Sequence, residues 1–167
     1  MDEGSFISIA VAVAVVESIS CMTSINIGIK WPNDILCNNK KVGGILIESF
    51  SDNGEEFAVV GIGINIKTKK FPQYAGNATS LDCDVNIIDL ISNIVNRIHK
   101  YFYDMNRTQI LNLYNKYFAM KDKYVCFKFE GNMVIGKVVG ISSVGELALD
   151  IDGITRYYNP IDGIKIL

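Results

Sequence analysis

The stretch GIKWPNDILCNNKKVGGILIES, residues 28–49, holds the only tryptophan of the chain, Trp31, followed by a proline, an Asn-Asp pair, two lysines and two adjacent glycines. Just before it, INIGIK (25–30) alternates Ile25, Ile27 and Ile29, which predicts a strand with one face turned inward. Pro32 ends that strand, and Trp31 is driven towards extended backbone by the ring that follows it. Residues 34–37 and 41–49 then read as two strands joined by a polar Asn-Asn-Lys turn. A second turn, SDNGEE (51–56), leads into FAVVGIGINI (57–66), so the stretch opens a β-meander.

On either side of the meander the pattern is helical. Residues 5–19 are rich in Ala, Val and Ile with no Gly or Pro, which predicts a helix buried nearly all round. After a loop over 67–83, Asp84 or Asn86 is expected to cap a helix. Its apolar residues fall at Ile87, Leu90, Ile91, Ile94, Val95, Ile98, Tyr101 and Phe102, a 3.6-residue spacing. A shorter helix carries Ile110, Leu113, Tyr114, Tyr117 and Phe118 on one side. From about residue 121, glycine-bearing turns separate short alternating apolar runs, the texture of a small all-β barrel. The expected organisation is an α+β portion over 1–120, with helices packed on a mixed sheet, followed by a small β-barrel over 121–167.

The chain has 167 residues, 49% hydrophobic and 20% charged, with a formal net charge of −2. That balance is globular, and without a basic excess to neutralise phosphates it argues against a nucleic-acid partner. Cys21, Cys37, Cys83 and Cys126 have no CxxC spacing, and with the single His99 they make a poor zinc set. They are expected to be reduced thiols, which with the absence of a targeting signal suggests a cytoplasmic protein. The apolar run FISIAVAVAVV (6–16) is shorter than the ~20 residues a membrane span needs, and Asp2 and Glu3 precede it where a signal peptide carries positive charge.

Residues 28–49 also concentrate chemistry. Asn33 and Asp34 can donate and accept around a nucleotide or hold a metal ion through the carboxylate, and equally can be no more than a turn. Lys41 on the returning strand offers a point charge for a phosphate or carboxylate, or is a solvated turn lysine. Gly43 and Gly44 remove side chains from a strand interior at a cost of about 1 kcal/mol. A strand loses that stability where something approaches its backbone closely. Gly61 and Gly63, with Asn65 behind them, repeat the device on the next strand.

The order KWPND (30–34), a short turn, K-V-GGIL-I-E (41–48) and VVGIGINI (59–66) resembles the biotin–protein ligases. ISIAVAVAVVESI (7–19), NATSL (77–81) and VVGISSVGELALD (138–150) extend the resemblance along nearly the whole chain. It implies the fold of a class II synthetase-like catalytic domain, here incomplete, with a C-terminal barrel. It also implies an ATP- and Mg2+-dependent ligase with biotin as substrate, acting through biotinyl-adenylate on a lysine of the biotin carboxyl carrier domain of a carboxylase such as acetyl-CoA carboxylase. By the same resemblance Lys41 is the catalytic lysine, and Lys41, Gly43, Gly44 and Gly61 meet biotin. Lys30, Trp31, Asn33, Asp34 and Asn65 serve ATP, with Asp34 as the Mg2+ ligand; Trp31 either packs beside the nucleotide or supports the loop.

The family's Arg-Gly-rich loop has no counterpart among Arg97, Arg107 and Arg156. The chain is therefore expected to begin within the catalytic domain, to be inactive or weak alone, to expose apolar faces and to self-associate through them. The competing reading is a non-catalytic remnant that keeps a carrier- or partner-binding surface. Kinship with lipoate ligases is disfavoured by KWPND and the terminal barrel.

Overall fold

The computed structural model describes residues 3–159 and 163–167. Among them the chain forms two compact units, one ending at Ala119 and the other running from Met120 to Leu167.

The first unit is built around a helix, α1 (Glu3–Met22), followed by four strands: β1 (Ile27–Lys30), β2 (Asp34–Cys37), β3 (Lys40–Asp52) and β4 (Glu55–Ile64). The strands pair antiparallel in the order β1-β2-β3-β4. Two helices follow, α2 (Ile87–Tyr103) and α3 (Arg107–Tyr117). α1 packs against β1, β2 and β3 as well as against α2 and α3, so its middle has no outward face. Ile9 through Val16 are all at most 2% exposed, as the unbroken apolar run predicts. Burying each Ile or Val of this run stabilises the unit by about 1.5–3 kcal/mol.

Local signals set the ends of these elements. The β2–β3 and β3–β4 turns use Asn38-Asn39 and Asn53-Gly54, all with positive φ, the geometry that two-residue hairpins of right-handed twist demand. Asn86 caps α2 by accepting from the Ile88 and Asp89 amides, and Asn106 with Gln109 forms a capping box on α3. Trp31–Pro32 is a cis peptide at the end of β1.

α1 and α2 are tied by Glu17, which accepts from Arg97 Nη1 at 3.0 Å and from the Tyr101 hydroxyl. Burial, then the bond to Glu17, pushes the Tyr101 hydroxyl above its ordinary pKa, and burial alone does so for Tyr114. A tyrosine whose folded pKa is raised stabilises fully below its unfolded value of about 10, and that stabilisation is lost as pH climbs towards the folded value. Thermal denaturation followed from pH 8 to 11 should show the midpoint falling from about pH 10 upward. The Tyr114 hydroxyl is buried without a hydrogen-bond partner. Tyr114→Phe is expected to stabilise the protein at neutral pH by about 1 kcal/mol and to flatten the alkaline slope.

The second unit contains β5 (Tyr124–Phe129), β6 (Asn132–Ile141), β7 (Leu147–Ile151), β8 (Ile154–Tyr158) and β9 (Lys165–Ile166). They form an antiparallel sheet in the order β8-β7-β6-β5-β9. Glu130-Gly131 and Asp152-Gly153 make its tight turns, again with positive φ at both positions. The expected barrel is thus a five-stranded sheet, and no pairing of β8 with β9 closes it among the described residues. The mixed sheet expected in the first unit is antiparallel in all its strand pairs, with parallel contacts only at the isolated bridges Ile29–Phe118 and Lys41–Ala78.

Half of the apolar stripe on α2 is not buried. Leu90, Ile94 and Tyr101 face the core, whereas Ile87, Ile91 and Val95 are each more than half exposed. Val60, Ile62 and Ile64 of β4, an edge strand, line a groove of about 410 Å³ with Leu90, Ile91 and Ile94. No helix among the described residues is long and apolar enough to cross a membrane.

Candidate functional site

The site lies on one face of the β1–β4 sheet. In the antiparallel register Asp34 opposes Gly44, Gly44 opposes Gly63, and Leu46 opposes Gly61, so these residues share a face. Regular alternation would put Lys41 on the other face, with Gly43 and Ile45. The β2–β3 ladder instead shifts between Ile35 and Leu36, pairing Ile35 with Gly43 and Leu36 with Lys41. Val42 is the extra residue, and this bulge turns Lys41 over to the face of Asp34 and Gly44.

The consequence is close packing around one ammonium group. A Cβ on Gly44 would lie 3.5 Å from Lys41 Cε and 3.6 Å from Lys41 Nζ, with Asp34 Oδ1 at 3.8 Å. Asp34 accepts one ion pair on each oxygen: Oδ1 meets Lys41 Nζ, and Oδ2 meets Lys30 Nζ at 3.3 Å. Two ammonium groups against one carboxylate leave an excess of positive charge over bare backbone. The Lys41 side chain is half-exposed, whereas those of Lys30 and Asp34 are largely covered. An excess of positive charge of this kind is suited to an anion.

The glycines divide by face. Gly44, Gly61 and Gly63 leave open backbone on the Lys41 face, and the exposed Leu46 stands beside Gly61. Gly43 is buried, and a Cβ there would sit 2.5 Å from the carbonyl oxygen of Gly63. The close approach that requires glycine at position 43 is therefore that of the neighbouring strand.

Three of the other predicted residues are engaged in holding this frame. Asn33 exchanges backbone and side-chain bonds with β3, Ile45 N donating to Asn33 O at 2.9 Å and Asn33 Nδ2 donating to Ile45 O at 2.8 Å. Asn65 donates through Nδ2 to Thr79 O at 3.2 Å. Trp31 is 1% exposed, so its indole belongs to the core beneath the loop. Each Asp34 carboxylate oxygen meets one ammonium group, so a magnesium ion there would share the carboxylate with Lys30 and Lys41. No cluster of three His, Cys, Asp or Glu side chains suited to a metal occurs among the described residues.

Sequence reading gave no structural role to two features of the site. One is the bulge at Val42, for which no residue type gives a signal. The other is segment 77–79, whose backbone brackets Lys41: Lys41 N donates to Asn77 O at 3.0 Å, and Thr79 N donates to Lys41 O at 2.7 Å.

Comparison with known proteins places this geometry in context. Residues 2–65 match the model of the biotin/lipoate A/B protein ligase family. A bifunctional ligase/repressor, BirA, of Bacillus spizizenii is 31% identical over 165 residues, covering 92% of this chain and 51% of the relative. A human biotin–protein ligase is 26% identical over 165 residues, covering 89% of this chain and 22% of the relative. The chain spans about half the length of the Bacillus relatives. Among solved structures, the apo biotin protein ligase of Aquifex aeolicus superposes with a TM-score of 0.82 at 23% identity, over 99% of this chain and 76% of that one. The same enzyme solved in complex with biotin and ATP gives a TM-score of 0.78 at 22% identity, over 98% of this chain and 71% of that one.

Proposed function

We propose, on the premise that this chain is related to the biotin–protein ligases, that it carries the biotin- and ATP-binding face of an enzyme attaching biotin to a carrier protein. The reaction has two steps. A biotin carboxylate oxygen attacks the α-phosphorus of ATP, the bond to the bridging oxygen breaks, and pyrophosphate leaves. The amine of a lysine on a biotin carboxyl carrier domain, of acetyl-CoA carboxylase or a similar carboxylase, then attacks the carbonyl carbon of the adenylate. AMP departs with the bonding electron pair.

The observation carrying this reading is the Lys41 ammonium set against Gly44 on a sheet face otherwise stripped of side chains at Gly61 and Gly63. Two anions, a carboxylate and a phosphate, must meet at under van der Waals distance for the first step, and Lys41 reduces their repulsion. Lys30 extends the positive field towards the phosphates. Gly44 and Gly61 let biotin lie on the backbone, with Leu46 as an apolar wall, while Gly43 keeps β3 and β4 close together beneath. Asn33 and Asn65 stand at the nucleotide end; with Nδ2 of each bonded to the protein, Oδ1 remains to accept from adenosine. Trp31 supports the loop. Asp34 holds the two lysines in place until substrate anions compete for them.

The test is release of labelled pyrophosphate from ATP on adding biotin, with biotinyl-adenylate identified by mass spectrometry. Gly44→Val, whose methyl groups would enter the space beside Lys41, is expected to reduce the signal by about 100-fold. No pyrophosphate and no biotin binding at high protein concentration would overturn the reading in favour of a non-catalytic binding remnant.

A further inference from the structure

We infer that segment Asn77–Thr79, locked by Asn65, is a positioning element that fixes the aim of Lys41. The need for one follows from the bulge. At Val42 the β2–β3 ladder skips a residue, and β4 pairs with β3 only as far as Gly43, whose partner is Ile64. Lys41 therefore has a ladder partner only on the β2 side, Leu36, and the neighbouring Val42 has none on that side.

Segment 77–79 takes over there. Ala78 bridges to Lys41 in parallel, with the Lys41 amide donating to Asn77 and the Thr79 amide to Lys41. Asn65 joins the segment to the sheet three ways: its amide donates to Val42 O at 2.8 Å, its carbonyl accepts from Leu81 N at 2.9 Å, and its side chain donates to Thr79 O. The ends of the excursion are drawn together by Lys69–Asp82 at 2.8 Å and by Lys67–Asp84. The lysines hold both aspartate carboxyls below their ordinary pKa. A flexible lysine side chain is aimed by the backbone it leaves from. A bulged backbone without a second neighbour would sample several directions, and an error of about 1 Å at the reacting atoms slows a step by about 100-fold. On this account the Thr79 amide is a positioning group acting through Lys41, and the Asn65 Nδ2 does the same besides the adenosine contact proposed for its Oδ1. The inference rests on the adenylation reading for its consequence in activity, and on the hydrogen bonds alone for its effect on the Lys41 backbone.

Amide hydrogen exchange and pyrophosphate release, measured on the whole chain, separate the two. Asn65→Ala and Thr79→Pro each remove one tie, and Thr79→Ser keeps the amide as the conservative control. Both disruptive variants are expected to speed exchange at Lys41 by about tenfold while β5–β8 amides stay unchanged. In Thr79→Pro kcat should fall by about 100-fold with little change in KM for ATP, and Thr79→Ser should behave as the unaltered protein. Unchanged Lys41 exchange in both disruptive variants overturns the inference, as does faster exchange throughout the first unit, which marks a role in general folding. Faster exchange confined to Lys41 in a chain that neither releases pyrophosphate nor binds biotin upholds the clamp and sinks the adenylation reading.

Discussion

Lys41→Ala is expected to lower biotin-dependent pyrophosphate release by about 100- to 1,000-fold, the range for removing one preorganised charge from a site where negative charge gathers. In the first step the developing charge is shared by the biotin carboxylate and the α-phosphate, both anionic before they meet. On the proposed adenylation the Lys41 ammonium is placed between them, since it lies 3.6 Å from where a Cβ on Gly44 would stand. Lys30 is a weaker substitute because it lies on the far oxygen of Asp34. Folding should be almost untouched: the Lys41 side chain is half-exposed, and its ion pair contributes less than about 1 kcal/mol. Urea unfolding of the variant would therefore superpose on that of the parent while the pyrophosphate assay falls to background. Activity within threefold of the parent would show that the charge at position 41 takes no part in the reaction.

Trp31→Ala should have the largest effect on stability, about 3–5 kcal/mol, from the loss of transfer free energy plus the cavity left behind. The indole is 1% exposed and precedes the turn that presents Asn33 and Asp34, so its removal loosens the site as well as the core. A domain of this size has about 5–15 kcal/mol in all, so the variant should begin to unfold at much lower urea, read by circular dichroism. Trp31 is the only tryptophan, which makes the parent's fluorescence a direct reporter of the same place. A loss below about 1 kcal/mol would mean that the indole is loosely packed and available to a nucleotide base.

The two residues at the centre of these predictions were legible in the sequence to different degrees. Trp31 stood out by its rarity and its place before Pro32, but whether it served ligand or core depended on its exposure, which no local pattern encodes. Lys41 was legible through its neighbours Gly43 and Gly44, yet those glycines turn out to have different reasons for lacking a side chain. Gly44 opens towards the Lys41 ammonium, whereas Gly43 admits the Gly63 carbonyl. A glycine pair reads identically in either case, because absence of a side chain does not say which neighbour fills the space.

α1 was readable from its unbroken apolar run, and the meander from Asn-Asn and Asn-Gly between alternating strands, since buried area and turn conformation are local properties. The apolar periodicity of α2 fixed its helical form but not its burial, and Ile87, Ile91 and Val95 remain open beside β4. What the sequence determined alone was therefore which segments are helix and strand, where they turn, and which residue types meet near residues 28–49. Only the tertiary structure decided that Lys41 faces Gly44. Strict alternation puts the two on opposite sides of β3, and it is the bulge at Val42, held from outside by Asn77 and Thr79, that turns the lysine over. The physical reason is that strand parity is a local rule, while the bulge that breaks it is flanked by Lys41, whose amide and carbonyl are hydrogen-bonded to a segment more than thirty residues away in the chain.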